Sequence, residues 1–163
     1  MSRKKAITGG PRARRSGGPF TIDASVFVNA FNPHERGHAE SLAFLTVVRE
    51  QGSAIVVPTL LVTEVAAAVA RASGDADDAL AYARAIARLP HLTFVSLTPT
   101  FALQAAELAA THRLRGADAV YVGVARLYGA TLVSRDEEQL MRGSAVTSCL
   151  LPEKVIAKTQ RAR

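Results

Sequence analysis

Residues 116–136 read Gly-Ala-Asp-Ala-Val-Tyr-Val-Gly-Val-Ala-Arg-Leu-Tyr-Gly-Ala-Thr-Leu-Val-Ser-Arg-Asp, and the reading of this stretch decides the fold. Ala117, Tyr121, Val124 and Tyr128 recur in helical phase, which predicts a helix over 117–128 that Gly129 stops. The run 131–134 is short, apolar and rich in branched residues, as in a strand buried on both faces. Asp136 follows at once and opens a short helix over 136–141. A helix feeding directly into a doubly buried strand is the repeating step of a parallel sheet.

The same alternation extends outward in both directions. Strands are expected at 20–22, 54–57, 93–97 and 145–150, with Asp23 ending the first and Pro58 the second. Helices are expected at 26–30, 37–51, 60–71, 75–89 and 99–113. Gly52 stops the helix at 37–51, and the helix at 60–71 is apolar almost all round. The expected architecture is α/β, a three-layer α/β/α sandwich on a five-stranded parallel sheet, in one domain over 19–152. The ends, 1–18 and 153–163, read as basic tails.

Length and composition agree with that reading. A chain of 163 residues fits one domain, and 48% apolar with 21% charged residues is ordinary for a folded one. The net charge of +6 belongs to the ends: six cations fall within residues 1–15 and four within 153–163, which leaves 16–152 at −3. Basic ends of this kind either hold phosphates or are simply solvated.

The body contains no lysine between Lys5 and Lys154. This removes the phosphate-binding P-loop and lysine Schiff-base chemistry. One cysteine, Cys149, excludes an internal disulfide and a cysteine-built zinc site. The four histidines stand in polar stretches and read as surface residues. No apolar run reaches the roughly 18 residues of a membrane span, and no secretory apolar region follows the basic start, so the expected location is cytoplasmic.

In a parallel sheet ligands bind beyond the carboxyl ends of the strands. Asp23 and Asp136 follow the first and fourth strands, and Glu64 lies one turn into the helix that leaves the second. Asp118 starts a helix that must descend to feed the fourth strand, so it begins at the same rim. Four acids from distant segments therefore converge.

Each has a structural alternative: caps or Asx-turns for Asp23, Asp118 and Asp136, with Gln139 completing a capping box, and a buried arginine pair for Glu64. Arg113, Arg115 and Arg135 stand beside the acids. They could meet phosphates, or Arg113 and Arg115 could be helix-end charges and Arg135 a partner of Glu137. At 4 Å, two such carboxylates repel by about 1 kcal/mol in water and about 4 kcal/mol at an effective dielectric of 20. An oxygen-only donor set suits Mg²⁺ or Mn²⁺, and the chemistry that follows is phosphodiester hydrolysis.

The strings Asp23-Ala24-Ser25, Pro58…Glu64, Leu114-Arg115-Gly116-Ala117-Asp118-Ala119 and Leu132-Val133-Ser134-Arg135-Asp136 resemble those of the PIN-domain ribonucleases, most of all the VapC-type toxins of toxin–antitoxin pairs. The resemblance implies a Mg²⁺- or Mn²⁺-dependent endoribonuclease. In it Asp23, Glu64, Asp118 and Asp136 hold the metal, and Ser25 and Ser134 support the cluster by hydrogen bonds. It further implies an RNA substrate, a cognate antitoxin protein as inhibitor, and a homodimer. Two other readings compete. A non-catalytic PIN-like module would use the acidic groove for a basic partner peptide. A haloacid-dehalogenase phosphatase is opposed by Asp23-Ala24-Ser25 in place of Asp-x-Asp and by the missing core lysine.

Overall fold

The computed structural model describes residues 18–161. The expectation of a basic tail over 1–18 falls almost wholly on residues outside this range. In chain order the elements are β1 (Phe20–Ile22), α1 (Ala24–Phe31), α2 (His38–Gln51), β2 (Ile55–Pro58), α3 (Leu60–Ser73), α4 (Ala76–Ala87), β3 (Leu92–Val95), α5 (Pro99–His112), α6 (Gly116–Tyr128), β4 (Thr131–Val133), α7 (Glu137–Gly143), β5 (Cys149–Leu150) and α8 (Pro152–Arg161).

The five strands form one sheet in the order β3-β2-β1-β4-β5, and every pair is parallel. The expected α/β sandwich with a five-stranded parallel sheet is what the chain forms. Right-handed crossovers from β1 through β2 to β3 put α1–α4 on one face of the sheet. The chain then reverses direction across the sheet, which puts α5, α6 and α7 on the other. Accordingly α6 packs on β2, β1 and β4, while α3 packs on α4 and α1.

Burial follows the pleat. Ile55 and Val57 join the larger core with Ile22, Phe27, Phe44 and Leu61, whereas Val56 points the other way into a smaller cluster with Phe101, Ala105, Val120 and Val124. Phe20 meets Phe44 edge to face, with ring centroids 5.6 Å apart. Each fully buried valine, leucine or phenylalanine contributes about 1.5–3 kcal/mol relative to an exposed one.

Two expectations are corrected. The fifth strand, expected over 145–150, is only Cys149–Leu150. Val146 and Thr147 instead donate their N–H groups to the Gly143 carbonyl, and the Thr147 hydroxyl donates to the Ala130 carbonyl, so the segment turns before it pairs.

The described part of the expected C-terminal tail is helix α8. Pro152 pre-sets the first helical residue, and Val155 is buried where α8 packs on α2. At the head of both helices Arg135 donates to Glu153 at 2.9 Å and covers Gly37, whose φ of +87° and lack of Cβ make room for the guanidinium. The histidine expectation is also refined: His34 is exposed, but the His38 ring bonds to the Asn29 carbonyl at 3.1 Å and is half-buried.

Candidate active site

The strand order changes direction between β1 and β4, where successive crossovers leave on opposite faces and a crevice opens at the carboxyl ends. Asp23 leaves β1 at this point. Its backbone N–H donates to the Val133 carbonyl and extends the β1–β4 ladder by one residue. Its side chain is the N-cap of α1: Oδ2 accepts from Ser25 N at 2.9 Å. Gln139 Nε2 donates to Oδ1 at 3.3 Å, and Ser134 Oγ lies 3.4 Å from Oδ2. Only 8% of Asp23 is exposed. Burial raises its pKa, the bonds from Ser25 and Gln139 oppose that, and the charge of Asp136 adds to it.

The two serines tie the ends of β1 and β4 together. Ser25 Oγ lies 3.3 Å from Ser134 Oγ and accepts from Arg135 N at 3.0 Å. Ser134 Oγ accepts from Asp136 N at 3.0 Å. Asp136 in turn is the N-cap of α7, with Oδ1 accepting from Gln139 N at 3.0 Å. Of the expected capping box, therefore, the Asp136 half is present, while the Gln139 side chain crosses to Asp23.

Asp136 Oδ2 accepts from Arg115 Nη1 at 2.9 Å, and Arg115 Nη2 also bonds Glu138 at 2.7 Å. Arg115 is thus a rim arginine that holds two acids rather than a helix-end charge. Arg113 sits in the left-handed region, and its carbonyl is bonded by Arg142. Arg135 pairs with Glu153, not with the neighbouring Glu137.

Glu64, on α3, has no arginine partner among the described residues. It accepts a hydrogen bond from the buried Tyr121 hydroxyl at 2.6 Å. Burial pushes its pKa up, the Tyr121 bond opposes this, and Asp23 adds to the rise. Asp118 lies in the first turn of α6, where the residue at the N-cap is Arg115 and no side chain caps the helix. Among the described residues no donor bonds the Asp118 carboxylate. Burial lifts its pKa to about 6, with further upward pushes from Asp136, Asp23 and Glu64 against the pull of Arg115.

Asp23, Ser25, Glu64 and Asp118 line one cleft of about 440 Å³. Asp136 and Ser134 stand behind it, coupled to it through charge and hydrogen bonds. A larger hollow of about 590 Å³ lies between α5 and α6, but Glu107 is its only carboxylate, so the clustered acids rather than volume single out the smaller cleft.

No three His, Cys, Asp or Glu side chains among the described residues are gathered closely enough to hold an ion as they stand. Asp23 is bonded by Ser25 N and Gln139, and Asp136 by Gln139 N and Arg115, so both carboxylates are already engaged within the fold. Tyr121, Gln139 and Arg71, which also lines the cleft, escape sequence reasoning as site residues. Tyr121 carries only a helix-period signal, and Gln139 reads as a cap.

Among the described residues no helix is long and apolar enough to cross a membrane. No curated protein is matched by the sequence. Solved structures share the fold at low identity. PAE2754 of Pyrobaculum aerophilum superposes with a TM-score of 0.63 at 19% identity, over 86% of this chain and 96% of that one. Mycobacterium tuberculosis VapC20, a toxin that cleaves the sarcin-ricin loop, gives 0.63 at 19%, over 74% and 92%. A chain of Rickettsia felis VapBC2, solved on a DNA fragment of its promoter, gives 0.61 at 13%, over 82% and 98%. Residues 20–142 match the PIN domain family, so by its sequence and its sheet alike the chain belongs to that family.

Proposed function

We propose that this chain is a metal-dependent endoribonuclease and the toxin of a type II toxin–antitoxin pair. The observation that carries the reading is the convergence of Asp23, Glu64 and Asp118 on one cleft, with Asp118 held at a pKa of about 6 by burial and the surrounding acids. The toxin role draws support from the VapC20 and VapBC2 likenesses.

The donor set is all oxygen and carries a surplus of negative charge, which fits Mg²⁺ or Mn²⁺. Asp23, Glu64, Asp118 and Asp136 would hold the ion, directly or through water, with Asp136 first released from Arg115. Bound there, the ion supplies an acidified water and neutralises charge on a phosphate. Ser25, Ser134 and Gln139 orient Asp23, while Tyr121 holds Glu64. Arg115 and Arg135 keep the ends of α6, α7 and α8 in register around the rim. On this reading the protein acts in the cytoplasm on RNA as a homodimer, and a cognate antitoxin silences it.

The test is cleavage of a broad RNA panel, including tRNA and ribosomal RNA, by the purified chain with Mn²⁺. Cleavage should stop with EDTA and with Asp118→Asn. A panel left uncut overturns the enzymatic reading. One observation favours a second reading, a non-catalytic module for a basic peptide: the rim already accepts a guanidinium, that of Arg115 on Asp136. Calorimetry separates the two, because only the nuclease requires Mn²⁺ affinity.

A further inference from the structure

The cleft is not acidic along its whole length. Helix α3 contributes Glu64, Ala67, Ala68 and Arg71 to its wall. These positions share one helix face, so a single stripe runs through the cleft from a carboxylate to a guanidinium. Two turns separate the charged ends, about 10.5 Å along the axis. Between them Ala67 and Ala68 present only methyl groups, which leave the floor open. Arg71 is exposed and makes no ion pair among the described residues, whereas Arg115, Arg135 and Arg142 are each tied to a glutamate or aspartate.

We propose that the Arg71 end of the cleft is an anion subsite that takes a backbone phosphate of the RNA flanking the bond to be cut. This rests on the ribonuclease reading and adds to it the residue that registers the strand. A body with a net charge of −3 over residues 16–152 repels a polyanion, and the acid end of the cleft does so most strongly. A free guanidinium within the same cleft offsets that repulsion and grips two phosphate oxygens at once. Because the contact is to phosphate, it positions the strand without reading bases. The competing role is a charge that favours the C-terminal end of α3, in whose last turn Arg71 lies. That role acts on stability alone.

The experiment compares wild type, Arg71→Ala and Arg71→Lys in the full chain, with Mn²⁺ and a single-stranded RNA that the wild type cuts. Arg71→Ala should raise KM about tenfold, as loss of one charge-assisted contact does, with kcat within about twofold. The salt dependence of log kcat/KM should become shallower by about 0.7. Arg71→Lys, which keeps the charge but not the fork, should retain the slope with an intermediate KM. Mn²⁺ affinity and melting temperature should not move.

Unchanged KM and slope, or a loss explained by a lowered melting temperature, would overturn the subsite. Should the wild type cut no RNA, the cleavage reading fails by itself. The subsite is then judged by fluorescence anisotropy of a labelled RNA oligonucleotide with Mn²⁺ present, and equal affinity and slope for wild type and Arg71→Ala would overturn it.

Discussion

Replacing Asp118 by Asn should stabilise the metal-free protein near neutral pH, and the structure sets the size of the gain. Burial and the neighbouring acids lift the Asp118 carboxyl from its ordinary 3.8 to about 6. A shift of that size corresponds to about 3 kcal/mol. The side chain is only half-buried, so screening by water reduces this to about 1–2 kcal/mol.

The dipole of α6 favours a negative charge in its first turn, but by only about 0.3–1 kcal/mol, so repulsion wins. The folded carboxyl binds its proton more tightly than the unfolded one. Ionisation therefore costs nothing below about pH 4, weakens the fold as pH rises from there, and exerts its full effect above about pH 6. Asn carries no such charge. In EDTA at pH 7.5, Asp118→Asn should melt about 3–6 °C above wild type, and the gap should close at pH 4. With Mn²⁺ the order should reverse, because only the wild type keeps all four of the carboxylates proposed to hold the ion. Circular dichroism melts across pH 4–8 provide the check. A variant less stable than wild type at pH 7.5, or a gap independent of pH, would refute the electrostatic account.

Three further perturbations test neighbouring contacts. Tyr121→Phe deletes the 2.6 Å bond to Glu64 and should cost about 1–2 kcal/mol in a denaturant melt; no change would mean that the hydroxyl supports no charge. Arg115→Gln releases Asp136, leaves Glu138 to Arg142 alone and should tighten Mn²⁺ binding in calorimetry, whereas weaker binding would show that Arg115 does not compete with the ion. Gly37→Ala places a left-handed alanine under Arg135 and should cost about 1–2 kcal/mol from the backbone, plus the displaced Glu153 pair. In an Arg135→Ala background only the backbone part should remain, and equal costs in both backgrounds would refute the contact.

Much of the sheet is legible in the sequence because its punctuation is local. Gly52 and Gly129 end α2 and α6 in left-handed conformations, and Asp23 and Asp136 sit at the starts of α1 and α7, so the first four strands fall within a residue or two, while the fifth, which lacks such a marker at its start, begins four residues later than expected. The convergence of the acids follows from topology, which is also readable once the strands are parallel. Other features depend on distant partners and leave no local trace. Arg135 reaches across 18 residues to Glu153 rather than to adjacent Glu137, and Tyr121 meets Glu64 across 57. In α8 the charges obscure a helix whose only apolar signal is Val155 and Ile156. Gln139 shows how one residue type serves two geometries, since its N–H takes the cap while its amide goes to Asp23.

Two of the four acids also begin helices, Asp23 for α1 and Asp136 for α7. On the nuclease reading, chemistry and architecture are thus written into the same atoms, and the choice of replacement decides which of them an experiment reads. Asparagine keeps an oxygen that can accept the N–H bond while discarding the charge. Alanine removes both and loosens the helix start by about 1 kcal/mol. An inert but sound protein, suited to trapping an RNA or raising crystals of a complex, is therefore made with amides, and a dead alanine variant reports on folding as much as on catalysis.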